Sequence, residues 1–358
     1  MNRITKMPGK RARKSLLAVA AATVLALSTS ACGSSESASS NSTESDVTES
    51  SVELTDVTAQ LGWLKLTQFG GFFIADANGY YEEEGIKATF DAGGPNITAW
   101  QSVASGRALV GDEDNTNVLV AISKGEPLVI IGAIFQTSPF AIISLADNPI
   151  SKIEDFTGKT IAVSEQGMAQ IQALIEAAGI SLDEVELVPA GPDPSALASG
   201  QVDGYFGYAT SQAVALQSQG IEVETLYLED LGVPSYGNVI ITTQENIDNN
   251  RDLLVRYMRG SIKGYEWLNA NPDEGAGIVV SDYGPAELVL ENEKLTASFQ
   301  KDLIQTDAGV LMVDPAKMQL VIDALAKVGT IAAPFDASKA VNTTILEEAY
   351  AGATKLLK

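Results

Sequence analysis

The side chains in this sequence that could do chemistry are aromatic rings, amides and carboxylates that stand at the ends of predicted β-strands. Rings of this kind stack on flat ligands, and amides and carboxylates form hydrogen bonds with the edge of a ligand. We therefore expect a binding site rather than a reaction centre. The candidates are Trp63, Gln68, Phe69, Asp112, Asp114, Asn115, Gln136, Ser138, Glu165, Gln166, Tyr205, Tyr208, Tyr236 and Asn238.

Positive charge is scarce in this part of the sequence. A site for a sulfonate or nitrate needs Arg or Lys in a charge-assisted fork, and Lys65 is the only basic candidate. The set suits a neutral or weakly cationic heteroaromatic ring instead. Some of these residues could have a structural role instead of contacting a ligand: Trp63 could pack in the core, and Lys65 could face outward. Asp112 and Asp114 could be solvated loop carboxylates.

The composition argues against most kinds of catalysis. The chain has no histidine and one cysteine, Cys32. The commonest general base and the commonest transition-metal ligand are therefore missing, and no thiolate nucleophile exists beyond Cys32. Neither a Gly-x-Ser-x-Gly elbow nor a P-loop is present. We expect no enzyme activity, no metal and no cofactor; a Ser–Lys or two-carboxylate enzyme is the alternative.

The N-terminus has the form of a lipoprotein export signal. Six basic residues lie within residues 3–14, and an uncharged apolar run of 12 residues, 16–27, follows them. That run is too short to span a membrane as a mature helix. Cys32 directly follows Ser-Ala, as in a lipobox, where the thiol is acylated and becomes the first mature residue; Thr29 departs from the more usual Leu. An ordinary signal peptide with a chance cysteine is the alternative.

We predict a signal peptide at 1–31, then a lipidated Cys32 and a disordered linker up to residue 56, because residues 33–51 are almost entirely polar. Removing 1–31 would leave 327 residues with 17 basic and 46 acidic side chains, a formal charge of −29. Such acidity argues against binding to nucleic acid or to anionic lipid. We expect export and attachment to the outer face of the cytoplasmic membrane through the lipid anchor alone.

Strand-like and helix-like segments alternate from Leu61 to Gly220, which predicts an α/β fold with mainly parallel sheets. Gly85-Ile86 recurs as Gly179-Ile180, and Ala104-Ser105-Gly106 recurs as Ala198-Ser199-Gly200, both at an offset of 94 residues. The shared offset predicts two similar lobes. Ligands of open α/β sheets bind beyond the carboxyl ends of the strands, so two facing lobes would enclose one cleft.

The predicted elements give the lobes their boundaries. Lobe 1 is predicted to comprise residues 57–145 and 238–358, and lobe 2 residues 146–237, each doubly wound. The two crossings between them would form a hinge that closes on a ligand. Within this scheme we place strands at Leu61–Leu66 and Phe140–Leu145 and helices at Phe72–Glu84 and Thr343–Leu357.

Three stretches resemble the NMT1/THI5-like group of ABC-importer substrate-binding proteins. Phe72–Ala75 with Gly79–Ile86 is similar to the "A…GYFEEEGL" signature of that group. Ile134–Ala141 with Ile153–Thr160, and Gly200–Gln212, are similar to its pyrimidine- and riboflavin-binding branch. The resemblance covers most of the chain that would remain after export.

The resemblance implies a type II periplasmic-binding-protein fold, delivery of a small-molecule ligand to a membrane permease with its ATPase, and no catalysis. Relatives bind sulfonates, nitrate, pyrimidines and flavins. Some eukaryotic relatives synthesise the thiamine pyrimidine with a histidine and a cysteine-rich motif, which this chain lacks, and Ser211 replaces an expected Asn. A hydroxymethylpyrimidine-type thiamine precursor is the first expected ligand and a flavin-like ring the second. Alkanesulfonate or nitrate binding, a tethered carboxylate-dependent enzyme and a ligand sensor are the alternatives.

Overall fold

The computed structural model describes residues 54–94, 97–163, 167–232 and 234–358. The predictions for residues 1–53, including Cys32, and those for Glu165 and Gln166 lie outside the described residues. The strands are β1 (Thr55–Gln60), β2 (Ile86–Asp91), β3 (Val110–Glu113), β4 (Leu128–Phe135), β5 (Phe140–Leu145), β6 (Thr160–Val163), β7 (Glu186–Pro189), β8 (Gly204–Tyr208), β9 (Val223–Tyr227) and β10 (Gly237–Thr243).

Helices connect and cover these strands. They are α1 (Gly70–Ala77), α2 (Tyr80–Glu83), α3 (Ala99–Ala104), α4 (Asn115–Ser123), α5 (Met168–Ala177), α6 (Ser195–Ala198), α7 (Val214–Gln217), α8 (Gln244–Asn249), α9 (Arg251–Ala270), α10 (Pro272–Ile278), α11 (Leu290–Ile304), α12 (Pro315–Lys327) and α13 (Thr344–Tyr350). Short π-helical turns occur at Ala209–Ala213 and Val279–Tyr283. Among the described residues, no helix combines the length and the apolar character that crossing a membrane requires.

The strands form two five-stranded sheets with the same topology. The first sheet has the order β2-β1-β3-β10-β4 and the second the order β7-β6-β8-β5-β9. In each sheet the first three strands are parallel, and the fourth runs antiparallel to both of its neighbours. The predicted α/β class and the two similar lobes are thereby confirmed.

The glycines that revealed the repeat end helical segments in both lobes. Gly85, Gly106, Gly179 and Gly200 all have a positive φ, between 69° and 77°. A side chain with a Cβ is disfavoured in this left-handed region, so glycine is the ordinary residue at the end of a helix that turns this way. The offset of 94 residues therefore reflects helix ends of the same conformation at corresponding positions in the two lobes.

The first strand lies earlier than the sequence predicts. Thr55–Gln60 pairs in parallel with β2, whereas Leu61–Leu66 is a loop, so the strand prediction for that segment was wrong. This loop has the apolar residues of a strand because Leu61 is buried in the core and Trp63 faces a cleft. The predicted linker also ends too late, since Thr55 and Asp56 already pair with the next strand.

The strand β5 belongs to the second sheet. It hydrogen-bonds to β8 and β9, so the first crossing between the sheets lies at residues 136–139, ahead of the predicted lobe boundary at 145. Two helix predictions were also too long. Gly79, at φ 76°, separates α1 from α2, and left-handed Ala351 and Gly352 end α13 at Tyr350.

Close backbone contact joins α1 to α9 in the first lobe. A Cβ on Gly264 would collide with the carbonyl oxygen of Gly71, and a Cβ on Gly71 would collide with the ring of Tyr265. The Tyr265 hydroxyl donates a hydrogen bond to the Gln68 carbonyl at 3.1 Å. The helix crossing therefore fixes the position of the segment that leads into α1.

Candidate ligand-binding site

A cleft of about 280 Å³ lies between the two sheets, at the carboxyl ends of their parallel strands. The antiparallel strands β5 and β10 begin at the same edge, so their first residues also reach it. The lining residues are Gly62, Trp63, Leu66, Gln68, Glu113, Asp114 and Asn238 around the first sheet, and Phe140, Ala190, Gly191, Pro192, Tyr205, Phe206, Gly207, Tyr208, Ser211 and Gln212 around the second.

The structure brings part of the predicted set together in this cleft. Those that line it are Trp63, Gln68, Asp114, Tyr205, Tyr208 and Asn238. Lys65 is absent from the lining, and no Lys or Arg from the described part of the chain lines the cleft. The site is therefore built from rings, amides and carboxyl groups.

A chain of hydrogen bonds links a buried carboxylate of the first lobe to a ring of the second. The Asp112 carboxylate accepts from the Gly62 backbone N–H at 2.9 Å and from the Asn238 amide at 2.6 Å. Asn238 in turn accepts from the Tyr208 hydroxyl at 3.1 Å. Asp112 itself is 1 % exposed and lies behind the lining. Its role is to hold Asn238, which contacts the cleft.

Asn238 needs an unusual backbone to make these contacts. Its φ is 50°, in the left-handed region that asparagine tolerates better than most residues. It lies near the start of β10, where the chain returns to the first sheet. The backbone conformation of Asn238 and its hydrogen bonds with Asp112 and Tyr208 together fix the position of its side-chain amide at the cleft.

Aromatic rings form one wall of the cleft. The Tyr208 ring meets Phe140 edge-on at 4.5 Å between centroids and Phe135 edge-on at 6.3 Å. Burial raises the pKa of Tyr208 well above its usual value, and the negative charge of Asp114 adds to the effect. The Tyr205 hydroxyl donates to the Gly191 carbonyl, and burial raises the pKa of Tyr205 to about 12. Both phenols are neutral hydrogen-bond donors.

Three consecutive residues with carboxyl groups, Asp112, Glu113 and Asp114, lie where β3 ends and α4 begins. Burial raises the pKa of Asp112 to about 7, against the opposing hydrogen bonds from Gly62 and Asn238. Burial likewise raises the pKa of Glu113 to about 7. Burial also raises the pKa of Asp114, whose carboxylate caps α4 by accepting from the Thr116 backbone N–H at 2.9 Å. The site therefore changes its charge within the neutral pH range.

Two predicted residues lie in the interior of the first lobe, outside the cleft lining. Phe69 is fully buried in the hydrophobic core. Asn115 is also fully buried, and its side-chain oxygen accepts from the Ser235 hydroxyl at 3.2 Å. Both follow the ends of β1 or β3, but the helices that begin there turn these side chains inward.

Three other predicted residues stabilise the crossings between the sheets. Gln136 donates its amide to the Ala133 and Met312 carbonyls at 3.0 and 2.8 Å. The Ser138 hydroxyl accepts from the Phe140 backbone N–H at 3.3 Å. Tyr236 accepts from the Asp314 backbone N–H at 2.8 Å, and Lys317 lies 4.9 Å over its ring. These three residues lie at the crossings between the sheets and do not line the cleft.

Glu113, Phe140 and Gln212 line the cleft and are missing from the predicted set. Phe140 opens β5, which runs antiparallel to β8, so its first residue pairs with Tyr208 at the end of that strand. Phe140 could have been predicted as a site residue only if the antiparallel pairing of β5 with β8 had been known. Gln212 lies in the π-helical turn directly after β8, four residues beyond the last residue of that strand.

Known proteins resemble this chain along most of its length. The family described as NMT1/THI5 like matches residues 66–275. The riboflavin-binding protein RibY from Chloroflexus aurantiacus is 26% identical over 299 residues, which cover 80% of this chain and 85% of that protein. The formylaminopyrimidine-binding protein from Halalkalibacterium halodurans is 25% identical over 257 residues, which cover 69% of this chain and 78% of that protein.

Another relative carries an enzyme's name. The 4-amino-5-hydroxymethyl-2-methylpyrimidine phosphate synthase from Schizosaccharomyces pombe is 30% identical over 202 residues. This match covers 52% of the present chain and 58% of that protein. Proteins named for binding and proteins named for synthesis therefore both occur among the relatives.

Solved structures share the arrangement of the two sheets. The alkanesulfonate-binding protein SsuA from Xanthomonas axonopodis pv. citri superposes with a TM-score of 0.61 over 81% of this chain and 99% of that chain, at 16% sequence identity. At this identity the likeness concerns the fold, and it confirms the predicted periplasmic-binding-protein fold. Because the family match spans more than half of the sequence, the chain belongs to the NMT1/THI5-like family.

Proposed function

We propose that this protein is the extracytoplasmic substrate-binding component of an ABC importer and that its cleft captures a small heteroaromatic vitamin precursor. The observation that carries this proposal is the lining of the cleft. Trp63, Tyr205 and Tyr208 supply rings, carboxyl groups and amides supply polar contacts, and no basic side chain of the described residues takes part. A sulfonate or nitrate would meet carboxylates here without a counter-charge.

The relatives' names support a heteroaromatic ligand, and the size of the cleft favours a pyrimidine over a flavin. The relatives RibY and the formylaminopyrimidine-binding protein are both named for heteroaromatic ligands. Sites for drug-sized ligands enclose about 300–1,000 Å³, and this cleft of about 280 Å³ is just below that range. A hydroxymethylpyrimidine-type ring is therefore our first choice and a flavin-like ring the second.

The partners follow from the importer assignment. A binding protein of this kind delivers its small-molecule ligand to an ABC permease and its ATPase. The lipobox-like sequence around Cys32 supports attachment to the outer face of the cytoplasmic membrane through a lipid alone. The acidic composition disfavours nucleic acid as a partner.

One observation favours a second candidate, a carboxylate-dependent enzyme. Glu113 lines the cleft with a pKa raised by burial to about 7, a value that suits a general acid or base. The synthase relatives make this candidate worth a direct test. Incubating the protein with and without an added pyrimidine, and following both that pyrimidine and any newly formed pyrimidine phosphate by mass spectrometry, would separate the two functions. An enzyme changes the mass of the added compound or forms a pyrimidine phosphate, whereas a binding protein returns the added compound unchanged and forms nothing new.

Native mass spectrometry and calorimetry together test the binding function. Protein purified without refolding should carry or accept a pyrimidine of defined mass. Calorimetric titration should then give tighter binding for a hydroxymethylpyrimidine than for riboflavin, an alkanesulfonate or nitrate. Tight binding of a sulfonate or nitrate with no response to the pyrimidine would overturn the proposed ligand class.

Replacing Tyr208 with alanine should weaken the binding of a heteroaromatic ligand about five- to thirtyfold, or roughly 1–2 kcal/mol. The loss comes from the aromatic surface that faces the cleft and from the hydrogen bond to Asn238. Calorimetric titration of the variant with the pyrimidine measures it. Tyr208→Phe keeps the ring, so it should retain more of the affinity than Tyr208→Ala.

Tyr227→Ala is the matched control for that experiment. Tyr227 lies on β9 in the same sheet, is partly buried, and does not line the cleft. Its loss should leave the affinity nearly unchanged. Equal weakening by Tyr208→Ala and Tyr227→Ala would mean that the second sheet as a whole, and not the aromatic wall, determines binding.

Replacing Cys32 with serine should abolish lipid attachment, because serine has no thiol to acylate. The variant should leave the membrane fraction if its signal is still processed. Metabolic labelling with a fatty acid and fractionation of the cells measure both effects. Unchanged lipid labelling in Cys32→Ser would exclude this residue as the anchor.

A further inference from the structure

The helix α11 contacts the backbone behind both walls of the cleft. The lining includes Leu66 and Gln68 on the side of the first sheet and Ser211 and Gln212 on the side of the second. None of the described residues that line the cleft belongs to α11. The contacts of α11 therefore act on the walls and not on a ligand.

One stripe of α11 is attached to the first lobe at Thr67, which lies between two lining residues. The Glu293 carboxylate accepts from the Thr67 backbone N–H at 3.2 Å, and the Gln300 amide donates to the Thr67 carbonyl at 3.0 Å. Thr67 begins a short 3₁₀ helix without a side-chain cap from the residue before it, so Glu293 satisfies its N–H from another helix. Ala297, on the same stripe, belongs to a buried cluster with Leu268 of α9. This attachment therefore combines two buried hydrogen bonds with core packing.

A neighbouring stripe of α11 faces the second lobe. The Thr296 hydroxyl donates to the Thr210 carbonyl at 2.8 Å. Thr210 lies in the π-helical turn that follows β8, directly before a lining residue. Phe299 packs against the hydrophobic cluster that includes Ala209 of that turn, and every other described residue of the cluster lies within residues 141–227. Phe299 thus joins a cluster that the second lobe otherwise forms by itself.

The same helix also contacts the first crossing between the sheets. The Gln136 backbone N–H donates to the Leu303 carbonyl at 2.7 Å. A crossing of a few residues lets two lobes rotate relative to each other. A helix that is bound to the first lobe, to the crossing and to the second lobe opposes such a rotation, because the helix itself keeps its shape.

We propose that α11 is a brace that sets the separation of the two cleft walls, with Thr296 and Phe299 as its positioning residues. This goes beyond the proposed function, because neither residue lines the cleft and the brace acts on any ligand that the cleft takes. The attachment to the second lobe is the weaker one, since it consists of one neutral hydrogen bond and one partly buried ring. Loss of either contact should release the second wall while α11 stays on the first lobe.

A distance measurement between the lobes, made without ligand, tests the brace. Cys32 is the only cysteine of the chain. A labelled parent with Cys32→Ser, Gln101→Cys and Glu176→Cys therefore carries one spin label at an exposed helical position in each lobe. Pulsed electron paramagnetic resonance should give a narrow distance distribution for this parent. Adding Thr296→Val, which keeps the shape but removes the donor, or Phe299→Ala should broaden the distribution and shift its mean.

Two variants of the same helix are the matched controls. Thr296→Ser keeps the hydroxyl, so it should give the distance distribution of the labelled parent. Ser298→Ala removes a hydroxyl from an exposed position of α11 and should also leave the distribution unchanged. Circular dichroism and the thermal midpoint confirm that each variant is folded. A merely structural role of Thr296 would lower the midpoint without changing the distance between the lobes.

Calorimetry with 4-amino-5-hydroxymethyl-2-methylpyrimidine measures the effect of the brace on binding. A released wall leaves a smaller fraction of the molecules in the arrangement that binds, and the apparent affinity falls with that fraction. Thr296→Val should therefore weaken binding about two- to tenfold, which corresponds to the loss of one hydrogen bond, and Thr296→Ser should not.

The outcomes separate this inference from the proposed function. Distance distributions of Thr296→Val and Phe299→Ala that both match the labelled parent would overturn the brace, whatever the protein binds. Altered distributions with an unchanged affinity for the pyrimidine would overturn the positioning role. If the wild type does not bind the pyrimidine, the proposed ligand class is wrong, and the distance distributions still decide whether the brace exists. Altered distributions that Thr296→Ser does not share, together with weaker binding, support the proposal.

Discussion

Replacing Gly264 with alanine should lower the free energy of unfolding by about 2–3 kcal/mol. Gly264 lies in the middle of α9, and a methyl group there would collide with the Gly71 carbonyl and come within 2.9 Å of the Ala75 backbone nitrogen. Backbone atoms cannot rotate away, so α1 and α9 would have to separate. This cost exceeds the roughly 1 kcal/mol that alanine gains over glycine inside a helix. Urea denaturation followed by circular dichroism measures the difference.

Gly277→Ala is the matched control for Gly264→Ala. Gly277 is also helical, in α10, but a Cβ there would meet no atom within 4 Å. The control should be as stable as the wild type or more stable, by up to about 1 kcal/mol. If Gly264→Ala behaves like Gly277→Ala, the helices have room to spare and the close crossing does not contribute to stability.

The same helix crossing connects stability to the cleft. Tyr265, next to Gly264, donates to the Gln68 carbonyl, and Gln68 lines the cleft. A separation of α9 from α1 would therefore move a residue of the binding site as well as loosen the core. Ligand affinity of Gly264→Ala should fall along with its stability.

The parts of the fold that can be predicted from sequence are those where local signals agree. The strand Phe140–Leu145 occurs at its predicted bounds, because its apolar run is bordered by turn residues. Glycines that end helices have the positive φ that only glycine adopts easily. The shared offset of these glycines is enough to predict two similar lobes from the sequence.

The first strand was missed because its stability comes from its neighbours. Thr55 and Asp56 are polar and exposed, yet they pair with β2, and this pairing is invisible in the sequence. The loop Leu61–Leu66 looked like a strand because it places apolar side chains both in the core and at the cleft. A segment shaped by a binding site departs from the pattern of a regular element.

The candidate site was predicted where a side chain ends or directly follows a parallel strand. Tyr208 is the last residue of β8, Asp114 directly follows β3, and both line the cleft. Asp112 was predicted to line the cleft, but it is buried behind the lining, and its neighbour Glu113 lines the cleft instead. Phe140 required knowledge that β5 is antiparallel to β8, which depends on long-range pairing. The sequence therefore predicts which edge of the sheets forms the site, but it does not predict which side chains along that edge line the cleft.

Raising the pH from 5 to 8 should destabilise the wild type, and Asp112 alone should account for about 2 kcal/mol of the loss in the free energy of unfolding. Burial raises the pKa of Asp112 in the folded protein to about 7, above its value in an unfolded chain. Between these two pKa values the folded state binds more protons than the unfolded state. Stability is therefore highest at low pH in this range and falls as the pH rises through 7.

Asp112→Asn should flatten this dependence, because an amide does not titrate. The variant should be less stable than the wild type at pH 5, since its side chain offers one oxygen to the two donors Gly62 and Asn238. The two proteins should become more similar in stability at pH 8, where the wild type must hold a buried charge. Glu113, whose pKa burial also raises to about 7, keeps a residual slope of the same sign in both proteins.

Urea denaturation at pH 5, 6, 7 and 8 measures the effect, with Asp56→Asn as the control. Asp56 is an exposed carboxylate on β1 of the same sheet, so its replacement should leave the slope of the wild type unchanged. An equal slope in Asp112→Asn and in the wild type would show that Asp112 does not titrate in the neutral range. A flatter slope would identify Asp112 as a proton-binding group directly behind the cleft. Because Asp112 holds Asn238, and Asn238 accepts from Tyr208, ligand affinity should then follow the same pH range in the wild type.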